Sequence, residues 1–116
     1  MYTANPYTTA STTYTVGSAN QVSGTGYTTG GNTLNNPVVA NQSNVATLTF
    51  DQTQWTSATF GAAFGAIYDN TAGDKLVVVL DFGGTKSCSN GTFTITFPST
   101  SSGTPAGTDS LISITS

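Results

Sequence analysis

The sequence predicts an all-β protein: a single-domain antiparallel β-sandwich, jelly-roll-like, with about eight short strands. Apolar residues alternate with threonine and serine at a period of two, which is the period of a half-buried strand. Glu and Arg are absent, while Gly and β-branched residues are abundant, so helix formers are scarce. Because 116 residues can bury one core without disulfides, we expect one domain over residues 1–116.

The N-terminal third carries the weaker strand signals. Residues 1–10, which include Pro6, are predicted to form an arm that orders only on binding. Weak strands are predicted over residues 12–16, 21–27 and 33–40, with glycines as turn signals among them.

The middle of the chain carries clearer patterns. Residues 44–50 alternate as a strand with Ala46, Leu48 and Phe50 facing inward. Residues 60–68 place large side chains on one face and mostly small ones on the other, so a neighbouring backbone can approach closely. A helix over residues 59–67 is the alternative, but two interior glycines and missing caps favour the strand.

The C-terminal half holds the most apolar segment. Residues 76–82 are apolar on both faces, which is typical of a central strand covered on both sides, and a partner subunit is a reasonable source of the second cover. Residues 92–97 predict a half-buried strand with Phe93, Ile95 and Phe97 inward. A mobile loop is expected over residues 99–108 and a last strand over residues 110–115.

The charge content excludes several partner classes. Charged residues make up 6% of the chain, against about 25% in ordinary globular proteins. With two lysines and a net charge of −3, no basic surface for a phosphate backbone can form, so we expect no nucleic-acid partner. No apolar run approaches the roughly 18 residues that cross a bilayer, so we expect no membrane partner.

The sequence offers little catalytic chemistry, and we predict that the protein is not an enzyme. Without His no Ser-His-Asp triad can form. Asp81, on an apolar strand, is the one acid with an environment suited to acid catalysis, but a hydrogen-bonded carboxylate near a strand end is the favoured interpretation. Cys88 is the only cysteine, so it forms no internal disulfide, and we interpret it as a small strand or turn residue.

Two further patterns have competing interpretations. The segment from Asp69 to Asp74 could offer oxygen ligands to Ca²⁺, but the spacing of a known calcium loop is absent and a plain turn is favoured, so no metal or cofactor is predicted. The aromatic residues could form a sugar-stacking platform, although core or interface anchors are the favoured interpretation. These residues are Trp55, Tyr2, Tyr7, Tyr14, Tyr27 and Tyr68.

Three blocks together resemble a known family. They are residues 22–31 (VSGTGYTTGG), residues 55–59 (WTSAT) leading to 65–71 (GAIYDNT), and residues 77–83 (VVVLDFG) followed by 91–98 (GTFTITFP). In order and spacing they resemble small β-rich virion structural proteins of tailed bacteriophages. The resemblance implies a structural protein of the head or tail, without catalytic residues. In that family a short apolar strand commonly precedes the position of Tyr2, so we expect either that this first strand is missing or that another subunit supplies it.

We therefore expect a capsid decoration or cement protein that stabilises the head of the virion, assembled in the cytoplasm of the bacterial host. Its partners would be the major capsid protein or other virion subunits, and a homo-oligomer, for instance a trimer, is expected. A tail or fibre component and a secreted carbohydrate-binding or adhesin module are the alternatives. The residues predicted for the assembly interface are Tyr2, Tyr7, Trp55, Phe60, Phe64, Val77, Val79 and Asp81.

Overall fold

The computed structural model describes residues 1–15, 19–42, 45–97 and 113–115, and within 40–47 and 113–115 it describes the backbone alone. These residues form five strands and no helix, so the prediction of an all-β protein is confirmed. The strands are β1 (Val38–Gln42), β2 (Val45–Thr49), β3 (Thr53–Asp69), β4 (Lys75–Thr96) and β5 (Ser113–Thr115). β1 and β2 form a two-stranded antiparallel sheet, whereas β3, β4 and β5 form a three-stranded antiparallel sheet in that order.

The long β3–β4 ribbon is the frame of the molecule. It runs from the pair Thr53–Ile95 at one end to the pair Asp69–Lys75 at the turn, with four shifts of register along the way. Two of the shifts flank Ala58, where Ser57 and Asn90 adopt left-handed backbone angles on opposite strands. Such bulges bend a ribbon and increase its twist, which lets one face curve around a core.

The N-terminal segment adds to the outer edge of β3. Tyr2 bridges Phe64 on one side and Gln21 on the other, and its carbonyl accepts a hydrogen bond of 2.9 Å from the Ala63 N–H. Further along the edge, Thr25 bridges Thr59. Residues 1–3 were predicted to belong to an arm that orders only on binding. In the structure Tyr2 lies between Gln21 and the edge of β3 and is completely buried. Of the predicted strands over 12–16 and 21–27, residues 12–15 and 21–27 form only isolated bridges, and residue 16 lies outside the described residues.

The strand boundaries differ from the prediction mainly in β4. Residues 76–82 and 92–96 belong to one strand, because β4 pairs with β3 on both sides of an irregular stretch around Gly83, and the predicted strand over 92–97 ends one residue earlier, at Thr96. Of residues 33–40, only those from Val38 onward are in a strand. The predicted strand over 60–68 is confirmed within β3, and the helical alternative is wrong.

The described part of the chain therefore has five strands in two sheets. It does not show the predicted jelly-roll sandwich of about eight strands. The predicted loop over residues 99–108 lies outside the described residues, as does the first half of the predicted last strand. The second half of that strand is β5, which pairs with β4 at Thr94–Thr96.

The core packs against the β3–β4 ribbon and is rich in aromatic rings. The ring of Phe93 is completely buried and lies 5.0 Å from the ring of Phe60 and 6.1 Å from that of Trp55, centroid to centroid. The predicted inward positions of Phe93 and Ile95 are confirmed here, and Phe97 is half-buried. The buried cluster consists of Val22, Trp55, Ala58, Phe60, Ala62, Phe82, Phe93 and Ile95.

The small residues of β3 permit close packing, as predicted, but against a side chain. A Cβ placed on Gly65 would lie 3.0 Å from Cζ of Phe82, so the Phe82 ring occupies the space that a larger residue would need. This contact holds the irregular part of β4 against β3, because Phe82 itself is buried.

One burial prediction is wrong for the described chain, and a second stays a prediction. β4 is the middle strand of its sheet, but β5 pairs with it only at Thr94–Thr96 and Val77 is 53% exposed, so a cover from a partner subunit over residues 76–82 remains an expectation. Leu48 was predicted to face inward and is exposed. In both cases the apolar pattern is real, but no described residue covers that surface. Among the described residues no helix is long and apolar enough to span a membrane.

Candidate functional site: an open groove on the ribbon

An open groove of about 690 Å³ runs along the β3–β4 ribbon. This volume is within the range of small-molecule and cofactor sites, about 300–1,000 Å³. Its lining includes residues from both ends of β3, so the groove is elongated. The buried part of the lining includes Tyr2, Trp55, Gly65 and Ile95, and half-buried apolar side chains flank it: Leu34, Phe50, Ile67, Tyr68, Leu80 and Phe97.

Polar side chains form part of the rim of this groove, and two of them are fixed by internal hydrogen bonds. The Asn32 amide nitrogen donates to Thr53 Oγ1 at 3.0 Å and to the Gln54 carbonyl at 2.9 Å. Asp69 Oδ1 accepts from the N–H and the hydroxyl of Thr71 at 2.9 and 2.6 Å. Asn70 and Thr33 are exposed beside them. The rim thus presents oriented amide, hydroxyl and carboxylate groups.

The hydrogen bonds from Thr71 lower the pKa of Asp69, so this carboxyl is ionised at neutral pH. Asp69 closes a side-chain turn with Thr71, as Asp does in many tight connections. The described residues contain no cluster of three or more acidic, Cys or His side chains suited to holding a metal ion. In the described chain this segment therefore has the geometry of a turn.

Trp55 lines the groove and carries an unpaired polar atom. Its side chain is 6% exposed, and its Nε1 has no hydrogen-bond partner among the described residues. The indole ring is held by edge-to-face contacts with Phe60 and Phe93. Since a buried donor left unpaired costs about 1–3 kcal/mol, this position calls for a functional explanation.

A cluster of tyrosines supports one end of the groove. The Tyr14 ring stacks on the Tyr68 ring, the Tyr2 hydroxyl hydrogen-bonds to that of Tyr7, and the Tyr68 hydroxyl donates to the Gly30 carbonyl at 2.9 Å. Gln21 Nε2 donates to the Tyr14 hydroxyl at 2.8 Å. Burial raises the pKa values of Tyr2, Tyr14 and Tyr68 above the ordinary 10. The cluster joins the N-terminal segment and the loop at Gly30 to the end of β3.

The aromatic residues considered as an open sugar-stacking platform are therefore mostly interior. Tyr2, Tyr14 and Trp55 are buried, which agrees with core anchoring, while Tyr7, Tyr27 and Tyr68 are half-buried. A ligand in the groove would meet the half-buried Phe50 and Phe97, whose rings pack edge to face at 5.3 Å.

The residues predicted for an assembly interface fall into three groups. Tyr2, Trp55 and Phe60 are buried within the chain. Tyr7, Phe64 and Val79 are half-buried, whereas Val77 and Asp81 are exposed. Further large apolar side chains of the hairpin and of β4 are exposed, and we name as the apolar surface the set Val38, Val39, Leu48, Val77 and Val78.

The two candidate reactive residues lie outside the groove. Asp81 is exposed and its Oδ1 accepts a hydrogen bond of 2.9 Å from the Gly83 N–H, so it lacks the apolar pocket that an acid catalyst would need. Cys88 is half-buried, and its thiol donates to the Phe60 carbonyl at 3.7 Å. Among the described residues the hydrogen-bond partners of these two side chains are backbone groups, the Gly83 N–H and the Phe60 carbonyl.

Sequence reasoning did not identify the groove. Asn32, Phe50 and Phe97 come from three separate segments, and no local pattern connects them. The unpaired Trp55 donor is likewise visible only from the packed structure. Comparison with known proteins adds no assignment, because the chain matches no protein-family model, no curated protein and no solved structure.

Proposed function

We propose that this protein is a non-enzymatic virion structural protein of a tailed bacteriophage, a decoration or cement protein of the head. The observation that supports the proposal best is the apolar surface. Val39 is 74% exposed and Val77 is 53% exposed in a chain with only seven charged residues among 116, five acidic and two basic. Val39 pairs with Leu48 across the hairpin, and Leu48 and Val77 line the same groove, so exposed apolar side chains from both sheets lie near one another. Exposed apolar groups clustered in this way mark an interaction site.

The backbone along the outer edge of β4 also supports an assembly contact. Among the described residues, this side of the strand is paired with β5 at Thr94–Thr96 and bridged by Thr13 at Lys75. A long edge with apolar side chains is normally covered in a native assembly. In our proposal the major capsid protein or a neighbouring copy covers it and supplies the second layer of the sandwich predicted from the sequence, and a trimer on threefold positions is one arrangement that would do so.

The scarcity of charge predicts the character of the contact. With two lysines in the whole chain, binding free energy must come from apolar burial and backbone hydrogen bonds rather than from ion pairs. Attachment to the particle should therefore be insensitive to salt, since screening weakens mainly the interactions between exposed charges.

Immunogold electron microscopy on intact particles tests the proposal directly. We expect label over the head. Label confined to the tail would replace the proposal with a tail or fibre component, and particles without label would contradict a virion role altogether.

A substitution pair tests the surface itself. Val77→Asp should leave the circular dichroism spectrum unchanged and abolish attachment to particles, because it places a charge within the contact. Thr85→Asp is the matched control, since Thr85 is also exposed on β4 but lies outside the apolar surface. Equal attachment of both variants at high and low salt would contradict the assignment of Val77 to the contact.

A further inference from the structure

The groove supports a second inference from different observations, although it shares Leu48 and Val77 with the apolar surface. It combines an apolar floor, a polar rim and a buried donor that is unpaired within the described chain. We propose that the groove binds a neutral oligosaccharide, with Trp55 Nε1 donating a hydrogen bond to a ligand oxygen.

The charge of the lining determines the class of ligand. Among the described residues neither lysine lines the groove, and Asp69 carries the one charged side chain that does, while burial lowers the pKa of the Met1 amine in the lining to about 6. A phosphate, a nucleotide or an acidic sugar would therefore find no strong counter-charge and would be repelled by the Asp69 carboxylate. The lining thus disfavours an anionic ligand, and the ligand that we assign to it is uncharged.

The arrangement of polar and apolar groups favours a sugar. Sugars present C–H faces that pack on aromatic rings, and hydroxyl groups that exchange directional hydrogen bonds with amides and carboxylates. The groove offers half-buried Phe50 and Phe97 for the first contact and Asn32, Asn70 and Asp69 for the second. Because Thr71 engages only Oδ1 of Asp69, the other carboxylate oxygen remains available as an acceptor.

A peptide fits this site less well. Extended peptides commonly bind by adding a strand to an unpaired sheet edge. The groove lies over residues 65–68 of β3 and their partners in β4, which already pair with one another across the ribbon. Recognition here must use side chains, and the elongated lining suits a chain of several sugar units better than a single ring.

In this proposal Trp55 provides both a hydrogen bond to the ligand and a fluorescence signal that reports binding. Its Nε1 is closed to solvent in the free protein, so groove residues must shift slightly when a ligand oxygen reaches it. Trp55 is also the only tryptophan of the chain. Its fluorescence emission should therefore change saturably on binding.

The experiment starts with the intact protein on an array of neutral glycans, followed by calorimetry and Trp55 fluorescence with the strongest oligosaccharide. Asn70→Ala removes a rim amide that makes no internal hydrogen bond within the described chain, and Asp69→Ala removes the carboxylate; each should lower affinity about 10-fold. Trp55→Phe, followed by calorimetry, should do the same, because it keeps an aromatic ring and removes the donor. Asp81→Ala, a carboxylate outside the groove, should bind as the parent does.

Several outcomes would overturn the proposal. They are the absence of binding to every neutral glycan, binding that Asn70→Ala and Asp69→Ala leave unchanged, or competition for the groove by an uncharged peptide rather than by sugar. Circular dichroism of each variant separates loss of binding from loss of fold, and Asn70→Ala remains informative even where Asp69→Ala disturbs the turn.

Discussion

The rings of Tyr14 and Tyr68 lie parallel, with 3.9 Å between their centroids and 4° between their planes. Tyr14 belongs to the N-terminal segment, and Tyr68 is the next-to-last residue of β3. Since the Tyr68 hydroxyl also donates to the Gly30 carbonyl, one side chain ties two otherwise separate segments to β3.

Two substitutions at Tyr68 should separate its ring from its hydroxyl. Tyr68→Phe keeps the stack and leaves the Gly30 carbonyl unpaired, so we expect a loss of about 1 kcal/mol in the free energy of unfolding. Tyr68→Ala removes the stack as well and should cost about 3 kcal/mol. Urea denaturation measures both values, and equal losses would show that the stack contributes nothing.

Alkaline pH should destabilise the fold. Burial raises the pKa of Tyr27 to about 12 and raises those of Tyr2, Tyr14 and Tyr68, so the folded chain retains protons that the unfolded chain releases above pH 10. Stability is therefore fully present below pH 10 and falls as the pH rises from there. Thermal melts between pH 9 and 12, with tyrosinate absorbance followed in parallel, test this, and a melting temperature constant across that range would contradict it.

A second pH dependence should appear between pH 6 and 8 in the chain with a free amine at Met1. Burial lowers the pKa of this amine to about 6, and the amine donates to the Tyr27 hydroxyl. Between the folded value and the ordinary value of about 8 the unfolded state binds the extra proton, so stability rises with pH, by about 2 kcal/mol. The chain contains no His to obscure the effect.

Melting temperatures at pH 5.5 and 8.5 provide the measurement for this amine. An N-terminally acetylated chain is the control and should lose the difference, since it has no proton to bind. A difference that survives acetylation would assign the effect to another group.

A matched pair of glycine substitutions should reveal how tightly the loop at residues 24–26 packs on β3. Gly26 has a φ of +79°, and a Cβ there would lie 2.9 Å from the Ala58 Cα. Gly73 has nearly the same φ, +72°, with nothing within 4 Å. Gly26→Ala should therefore cost about 3 kcal/mol or more, and Gly73→Ala about 1 kcal/mol, the cost of backbone strain alone. Chemical denaturation of both variants gives the comparison, and equal losses would contradict the close approach.

The parts of the fold that the sequence predicts well are those set by local alternation. The inward positions of Phe93 and Ile95 follow from a strict period of two, which only a strand satisfies. The continuity of β4 through Gly83 and Gly84 could not be predicted, because two adjacent glycines ordinarily signal a turn. In the structure Phe82 anchors this irregular stretch by packing on Gly65, a contact between two strands that no local pattern encodes.

The candidate site was harder to predict from the sequence than the fold. The aromatic content suggested that Trp55 matters, but its burial and its unpaired donor depend on the packing of Phe60, Phe93 and the N-terminal residues around it. Residues 76–82 were predicted to be covered because apolar runs usually are. In the structure Val77 and Val78 are exposed, because no described residue covers them. An apolar run indicates that a cover is needed but does not specify which surface provides it.

The position of Tyr2 between Gln21 and Phe64 also constrains the order in which the protein can form. During synthesis residues 1–3 and their partners at 20–22 leave the ribosome long before β3 is complete, so Tyr2 must wait for its second partner until residue 64 has emerged. Pairings between residues so distant in sequence are slow to form, because the intervening chain must first be closed into a loop. Substitutions along the outer edge of β3 should therefore reduce the yield of folded protein in cells more than the stability of the molecules that do fold.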